Sequence, residues 1–288
     1  MTPLRSPLSW IGGKYYSAAR ILRAFPEPEQ YDTYVELFGG AAHVLFQKPP
    51  GKHIEVYNDL SGDLVNFWMH CRDHAPELEQ RCRSLPYARS LYYVYRQSLF
   101  DGSPLDPLER AVRWFYVTKS MYSSQPPVPG GPSGWNAGIK NSRYSSVHAY
   151  RSALDLFEAI QKRLRFVLID QRDFADVFRS YDKPRVLFYV DPPYLGVNQY
   201  YQDPFSLADH ERLAALLQTA QAYVALSSYP HPLLENLYPR SRWQRLAWLM
   251  PKHSQRSATN DVATELLLTN YRLNSLWEDC CDGTVTTC

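Results

Sequence analysis

The stretch YDTYVELFGGAA, residues 31–42, decides the fold class of this chain. Its first eight residues are mostly aromatic, apolar or β-branched, which predicts a buried strand, and its last four predict a tight turn. A helix is expected to begin at His43. A second predicted strand, 53–57, ends at Asn58-Asp59. Strand, glycine turn, helix, strand and acid is the order of a parallel βαβ unit.

The alternation of predicted strands and helices resumes after residue 151. An amphipathic helix is predicted over 147–164, where Leu154, Phe157, Ile160 and Leu164 share one face. Alternation of apolar runs and helical stretches favours a parallel sheet, so the fold class is predicted as α/β with a Rossmann-like sheet. The remaining predicted elements are a helix at 64–71, strands at 166–169, 186–190 and 223–227, and a helix at 207–220.

Residues 70–151 differ from the rest of the chain. They carry 11 Lys and Arg against 6 Asp and Glu, whereas the remainder carries 20 against 23, and they are rich in Tyr and Trp. A long loop, Ser123 to Ser146, lies inside them, and a loop of that length is typically functional or disordered. This mainly helical insert is predicted to contact nucleic acid. The alternative is that its charges are solvated and its tyrosines pack a core.

Bulk composition excludes several classes of protein. The chain has 288 residues and 45% hydrophobic content, enough for a sizeable core. No apolar run approaches the ~20 residues of a membrane span, and no secretory signal is recognised. Its five cysteines include no C-x-x-C pair, so neither a metal site nor a disulfide framework is expected. A reducing, cytoplasmic setting fits best, and nothing indicates an obligate protein partner, which is compatible with a monomer.

Asp191-Pro192-Pro193-Tyr194 follows the apolar run 186–190 and is therefore placed at the carboxyl end of a strand, where open α/β sheets bind ligands. An aromatic amine is a poor nucleophile because its lone pair is delocalised. A carboxylate and a proline-flanked carbonyl can accept its two N–H bonds, and an adjacent aromatic ring can stack on an extruded base. The alternative is that Pro-Pro only terminates the strand.

Three further elements accompany this motif. Glu36 to Gly40 ends in two glycines that allow close approach of a ligand, although a plain turn would look the same. Asp59 follows Gly39 by 20 residues, the spacing of a ribose-binding acid, with a helix N-cap as the alternative. Trp10-Ile-Gly-Gly-Lys14 suits the carboxylate end of a cofactor, or a lead-in to a helix.

Taken in order, these motifs resemble the Dam-like (D12 class) DNA adenine-N6 methyltransferases. The resemblance covers about the first 70 residues and most of the chain after 150. The matching segments are Trp10–Lys14, Tyr34–Gly40, Tyr57–Leu60, Asp173-Phe174, Tyr189–Tyr194 and Leu226–Tyr229.

The resemblance implies S-adenosyl-L-methionine as methyl donor, double-stranded DNA as partner and no metal. It divides the chain into a catalytic, cofactor-binding domain, 1–69 and 152–288, and a target-recognition insert, 70–151. The implied catalytic residues are Asp191, Pro192, Pro193 and Tyr194. The implied cofactor residues are Trp10, Lys14, Glu36, Phe38, Gly39, Gly40, Asp59, Asp173, Phe174 and Asp191. The basic insert residues assigned to DNA are Arg89, Arg96, Lys119, Lys140 and Arg143.

Some positions depart from the family pattern. Leu37 stands where the family usually has proline, and the loop 123–146 does not resemble the GATC-reading loop, so no recognition sequence is carried over. His43 is expected to be a helix-surface histidine. Two other functions stay open: methylation of RNA or of another amino group such as a protein glutamine, and non-catalytic DNA binding.

Overall fold

A computed structural model describes residues 3–10, 12–122, 127–129, 131, 134–137, 139–140, 144–195, 205–251 and 262–273. The chain forms two compact units. The first unit comprises residues 1–15, 40–50 and 59–171, and the second comprises residues 16–39, 51–58 and 172–288. The whole insert 70–151 falls in the first unit, and its assignment to target recognition stays a prediction.

The fold is α/β and has a seven-stranded sheet, as expected of a Rossmann-like methyltransferase. Six of the strands belong to the second unit, in the spatial order β2-β1-β6-β7-β9-β8. Their bounds are β1 Thr33–Glu36, β2 Ile54–Asn58, β6 Val186–Val190, β7 Tyr223–Ser228, β8 Gln244–Pro251 and β9 Val262–Thr269. The helices of this unit are α1 Ala18–Arg23, a 3-10 turn Pro28–Gln30, α9 Phe174–Tyr181, α10 Leu207–Gln218 and α11 Leu233–Leu237.

Strand β6 lies between β1 and β7, parallel to both, and all five of its residues are buried. A central strand covered on both faces has no polar side to expose, which explains its unbroken apolar sequence. One face of the sheet is mainly apolar, with Val35, Phe188, Val224 and Leu268 packed against α9 and α10. That face supplies most of the hydrophobic core of the second unit.

The opposite face of the same strands is buried and carries several polar side chains among apolar ones. Because side chains alternate along a strand, the neighbours of the core residues point to this second face. The segment after α1 packs on it through Phe25, whose ring lies 5.7 Å from that of Tyr34 and 6.0 Å from that of Tyr189. We call this surface the acidic face, and it comprises Tyr34, Glu36, Glu55, Tyr57, Tyr189, Ser227 and Glu265.

The first unit is mainly helical around an aromatic core. The rings of Phe67 and Phe115 stack at 5.3 Å, and Phe157 meets both edge-on. Its helices are α2 His43–Gln47, α3 Gly62–Asp73, α4 Ala75–Ser84, α5 Arg89–Ser98, α6 Pro107–Ser120, α7 Ser146–Leu154 and α8 Phe157–Leu164. Its strands are the β3–β4 hairpin, Ile139–Lys140 and Tyr144–Ser145, and sheet strand β5, Val167–Asp170. Among the described residues, no helix has the length and apolar character that crossing a membrane needs.

The predicted βαβ order is confirmed, but two predictions need correction. The helix expected over 147–164 is broken into α7 and α8, where Leu156 N–H donates to the Ala153 carbonyl and tightens the turn. The break lets α7 pack on α4 and α6 while α8 packs on α3 and α4. The sheet is also mixed rather than parallel, because β9 runs antiparallel to both β7 and β8.

Asn58 joins three chain segments at the carboxyl end of the parallel strands. Its Nδ2 donates to the carbonyls of Leu37, at 3.0 Å, and Arg172, at 3.1 Å, and its Oδ1 accepts from Arg172 N–H at 3.0 Å. Its own carbonyl accepts from Gly39 N–H at 2.7 Å. The side chain is buried. Asn58 therefore sets the spacing between the loops after β1 and β2 and the start of α9.

We expect Asn58→Ala to destabilise the protein by about 3 kcal/mol or more, because three hydrogen bonds disappear and buried backbone groups stay unpaired. Asn58→Asp should cost at least as much, since a carboxylate has no N–H to donate to the two carbonyls. Urea unfolding measures both. Asn66, whose amide makes one exposed bond to the Pro107 carbonyl, is the control, and Asn66→Ala should cost less than about 1 kcal/mol. Equal effects at the two positions would contradict the proposed role.

Candidate active site

The Asp191-Pro192-Pro193-Tyr194 segment begins directly after β6, as the sequence predicts. Asp191 is half-buried, and Tyr194 is only 8% exposed. The Tyr194 ring meets Tyr229 edge-on at 4.5 Å, and its hydroxyl donates to Glu265 Oε1 at 2.5 Å. The segment is thus held by side chains from the end of β7 and from β9.

The acidic face continues this polar environment across the sheet. Glu36 stands in register with Tyr189, and the Tyr34 hydroxyl donates to Glu36 Oε1 at 2.7 Å. Tyr189 and Ser227 share a hydrogen bond of 2.9 Å between their hydroxyls. A buried carboxylate is stable only when hydrogen bonds replace those it made to water. Two such bonds come from tyrosine hydroxyls, from Tyr34 to Glu36 and from Tyr194 to Glu265.

The electrostatics of the acidic face oppose further negative charge. Burial raises the pKa of Tyr189 and of Tyr194 well above the usual value, and the Asp191 and Glu265 carboxylates raise both pKa values further. Both phenols therefore stay protonated, and the Tyr194 hydroxyl donates to Glu265. The Asp191 and Glu265 carboxylates would attract a cation, whereas burial opposes a charge of either sign.

An aromatic cluster of Phe38, Phe174 and Phe205 lies in the same unit, with ring centroids 5.5–5.6 Å apart. Next to it, Asp173 is the N-cap of α9, with Oδ1 accepting from Ala175 N–H at 2.9 Å. Asp173 Oδ2 accepts from Arg212 at 2.8 Å, and that guanidinium lies 4.3 Å from the Phe174 ring centroid. An aromatic ring can stack on a purine, and a carboxylate beside that ring can accept a hydrogen bond from the purine's amino group.

Asp59, in the first unit, holds two backbone N–H groups. Its Oδ2 accepts from Gly40 at 2.9 Å and its Oδ1 from Ser61 at 2.9 Å. The N-cap position of α3 is Ser61, so the alternative that Asp59 caps the helix is wrong. Burial raises the pKa of Asp59, although the backbone N–H groups oppose that rise.

Close packing leaves little or no room for a side chain at Gly39 or at Gly40. A Cβ on Gly39 would lie 2.1 Å from the buried ring of Tyr57, within the second unit. Gly40 adopts φ +49°, a left-handed conformation that favours glycine, and a Cβ there would lie 3.1 Å from Trp10 Nε1, within the first unit. Its carbonyl accepts from Trp68 Nε1 at 3.1 Å. These contacts fix the turn after β1 without excluding a ligand role.

Residues 10–14 form a turn in the first unit, in which Ile11 lies outside the described residues. Gly13 N–H donates to the Trp10 carbonyl at 3.1 Å, and buried Lys14 Nζ donates to the Gly12 carbonyl at 2.6 Å. His43 packs on this turn, since a Cβ on Gly13 would lie 2.7 Å from its Nε2. The expectation of a helix-surface histidine is therefore wrong: His43 Nδ1 is buried, and no hydrogen-bond partner for it exists among the described residues.

The insert residues assigned to DNA differ in their surroundings. Arg89 is exposed and lies 5.0 Å above the Trp135 ring. Arg96 Nη2 donates to the carbonyls of Val128, at 3.4 Å, and Gly131, at 3.0 Å, and so holds these two residues of the long loop. Burial lowers the pKa of Lys119 to about 8. The Lys140 side chain and all of Arg143 lie outside the described residues.

Many aromatic residues of the insert serve the core. Tyr92, Trp114, Tyr116 and Tyr150 are almost completely buried, which supports the alternative stated for the tyrosines. Tyr93 and Tyr122, in contrast, are exposed.

Sequence reasoning assigned no role to Glu265, which bonds Tyr194, to Arg212, which bonds Asp173, or to Asn58, which it named only within the matching segment Tyr57–Leu60. A signal existed for Glu265, because a single acid interrupts the apolar strand VATELLLT, residues 262–269. A charged residue inside a buried strand is rare unless it is paired. Arg212 on α10 carried no such signal.

Comparison with known proteins places the chain among DNA-modifying enzymes. The family model for the D12 class N6 adenine-specific DNA methyltransferases matches residues 10–250. The DNA N-6-adenine-methyltransferase of Escherichia phage P1 is 25% identical over 81% of this chain, and the match spans only 31% of that protein's length. The DNA adenine methylase of Haemophilus influenzae is 23% identical, over 83% of this chain and 84% of that protein. The type II methyltransferase M.CviBI of Paramecium bursaria Chlorella virus NC1A is 21% identical, over 92% and 98%.

The turn at residues 10–14 gives a pH prediction through His43. Burial, and secondly the charge of Lys14, lower the pKa of His43 from its usual 6.5 to about 4. Between these values the unfolded chain binds a proton that the folded chain does not, so stability is present near pH 7 and is lost as pH falls. The share of His43 at pH 5 is about 2 kcal/mol.

We therefore expect the free energy of unfolding to fall from pH 7 to pH 5, and His43→Gln to remove part of that fall. His210, whose pKa burial also lowers to about 4, should contribute a second share, so His210→Gln is the matched variant. Urea unfolding at pH 7, 6 and 5 measures these shares. A His43→Gln protein with the pH dependence of the wild type would show that His43 is not buried in neutral form.

Proposed function

Because this chain belongs to the D12 class N6 adenine-specific DNA methyltransferase family, we propose that it transfers a methyl group from S-adenosyl-L-methionine to N6 of an adenine flipped out of duplex DNA. The observation that carries this proposal is the placement of Asp191-Pro-Pro-Tyr194 directly after a buried central strand, with Tyr194 clamped by two neighbouring strands. A simple strand terminator would need neither the carboxylate nor the clamp.

In the proposed mechanism, residues 191–194 activate the amine. The Asp191 carboxylate accepts one N–H bond of the target N6. A carbonyl beside Pro192 and Pro193, which have no N–H of their own, accepts the other. Both acceptors make the nitrogen lone pair available for attack, and both stabilise the positive charge that develops on N6. The new N–C bond would form as the S–C bond of the donor breaks and S-adenosylhomocysteine leaves. The methylated N6 would then release its extra proton to the Asp191 carboxylate, and from there to water. Catalysis then consists of positioning and charge stabilisation.

The residues present suit the methyl donor. The Phe38–Phe174–Phe205 cluster with Asp173 fits an adenine, and each Asp173 oxygen keeps a free lone-pair direction beside its described bond. In the first unit, Asp59 has the carboxylate that ribose hydroxyls need, and Trp10 and Lys14 suit the amino-acid end. Glu36, Gly39 and Gly40 complete the proposed set. When bound, the donor supplies an electrophilic methyl group on a cationic sulfur.

Tyr194 is proposed to stack on the flipped adenine, and the insert 70–151 to bind the duplex. Arg89 has the exposure that a phosphate contact needs. Arg96 donates to loop carbonyls, so we propose that its contribution is to shape the recognition loop. Lys119, Lys140 and Arg143 stay proposed phosphate contacts.

Asp191→Ala should lower methylation at least about 100-fold, because the variant loses an acceptor that strengthens in the transition state. Binding to DNA should change little, since the carboxylate does not grip the duplex. The measurement is transfer of labelled methyl to unmethylated duplex DNA, with RNA and protein as alternative acceptors, alongside a binding titration. Near-normal turnover of the variant would remove this mechanism, and preferential transfer to RNA or protein would favour the other methyltransferase functions. A protein not stabilised against heat by S-adenosylmethionine would instead fit a non-catalytic DNA binder.

DNA binding should weaken steeply as salt rises, because basic side chains release counterions when they contact phosphates. Arg89→Ala should lower the slope of log affinity against log salt by about 1. Arg96→Ala should lower affinity or alter sequence preference with an unchanged slope, because its guanidinium is committed to the loop. Binding titrations at several salt concentrations measure both. A flat response in the wild type would mean that the insert does not contact phosphates.

A further inference from the structure

Glu265 forms a direct hydrogen bond with the proposed catalytic motif. Its Oε1 accepts from the Tyr194 hydroxyl at 2.5 Å, and both residues are buried, at 5% and 8% exposure. A hydrogen bond to a carboxylate is shorter and stronger than one between neutral groups. Because both groups are buried, water cannot take the place of either partner, and breaking the bond would leave a buried polar group without a hydrogen bond.

The anchor for this bond is rigid. Glu265 belongs to β9, which pairs with β7 on one side and β8 on the other, and Glu265 itself stands in register with Trp248. Tyr229, directly after β7, meets the Tyr194 ring edge-on with 75° between the planes. The ring of Tyr194 is therefore held by Glu265 at its hydroxyl and by the T-shaped contact with Tyr229.

Burial of a carboxylate at this place carries a cost that an apolar residue would avoid. Replacing a buried ionic group by an apolar one is often neutral or stabilising, so stability alone does not explain a glutamate in the apolar strand 262–269. A role in fixing the orientation of the tyrosine does explain it, since a stacking ring contributes only when its plane is held where the base arrives.

We propose that Glu265 is a positioning residue for methyl transfer, holding the Tyr194 ring through its hydroxyl in the plane that receives the target base. This inference rests on the proposed function. Glu265 touches neither base nor methyl donor in this scheme and acts only through Tyr194. Its contribution should therefore vanish when the Tyr194 hydroxyl is absent.

The test is a double-mutant cycle on methyl transfer to unmethylated genomic DNA. Glu265→Ala and Tyr194→Phe should each lower kcat about 10-fold, with KM for S-adenosylmethionine within about twofold of the wild type. The double variant should be no slower than the slower single variant, because both changes break one interaction. Glu265→Gln keeps an acceptor oxygen and should recover most of the lost rate.

Tyr271→Phe is the matched control, since that hydroxyl donates to the Ala24 carbonyl in the same unit, and its kcat should stay at the wild-type level. Wild-type kcat in Glu265→Ala, or a loss of about 100-fold in the double variant, would overturn the positioning role. Should Glu265→Ala fail to fold, a Tyr194→Phe protein with wild-type kcat would overturn it as well. Absence of DNA methylation by the wild type would instead overturn the proposed function, and this inference with it.

Discussion

The buried amide of Asn58 is the interaction on which the carboxyl edge of the sheet depends. Three loops must converge there, and their carbonyls and N–H groups cannot all pair with one another. One side chain that both donates and accepts satisfies the Leu37 carbonyl and both backbone groups of Arg172. Aspartate would lack the donors, and an apolar residue would lack both functions. Phe38 and Asp173 each adjoin a residue that Asn58 holds, so their placement follows from it.

A second constraint comes from alternation along the strands. The sequence period of two that builds the apolar core on one face must send every other residue to the opposite face. On β1 those residues are Tyr34 and Glu36, and on β6 they are Leu187 and Tyr189. Two carboxylates of that face accept from tyrosine hydroxyls, Glu36 from Tyr34 and Glu265 from Tyr194. The same strands thus create the apolar core and the acidic face, whose Glu265 accepts from the Tyr194 hydroxyl.

Prediction from sequence succeeded where the signal was local. The run VLFYV at 186–190 is a central strand with its predicted bounds, and DPPY follows it directly. Prediction failed where distant residues decide the structure. The amphipathic pattern of 147–164 could not show a break at Asp155 and Leu156, because the break serves packing on different helices. The contact of Tyr194 with Glu265 joins residues 71 positions apart, and no spacing rule reveals it.

The tyrosines of the insert show why composition alone misassigns function. Tyr92, Tyr116 and Tyr150 are chemically as suitable for stacking on bases as Tyr93 or Tyr122, yet burial removes the first three from any partner. The same holds for cations: Arg89 stays exposed, whereas the guanidinium of Arg96 holds loop carbonyls. A basic, aromatic segment therefore contains two groups of residues, one buried in the core of the unit and one exposed on its surface. Only contacts and exposure separate these two groups of residues, and composition reports neither.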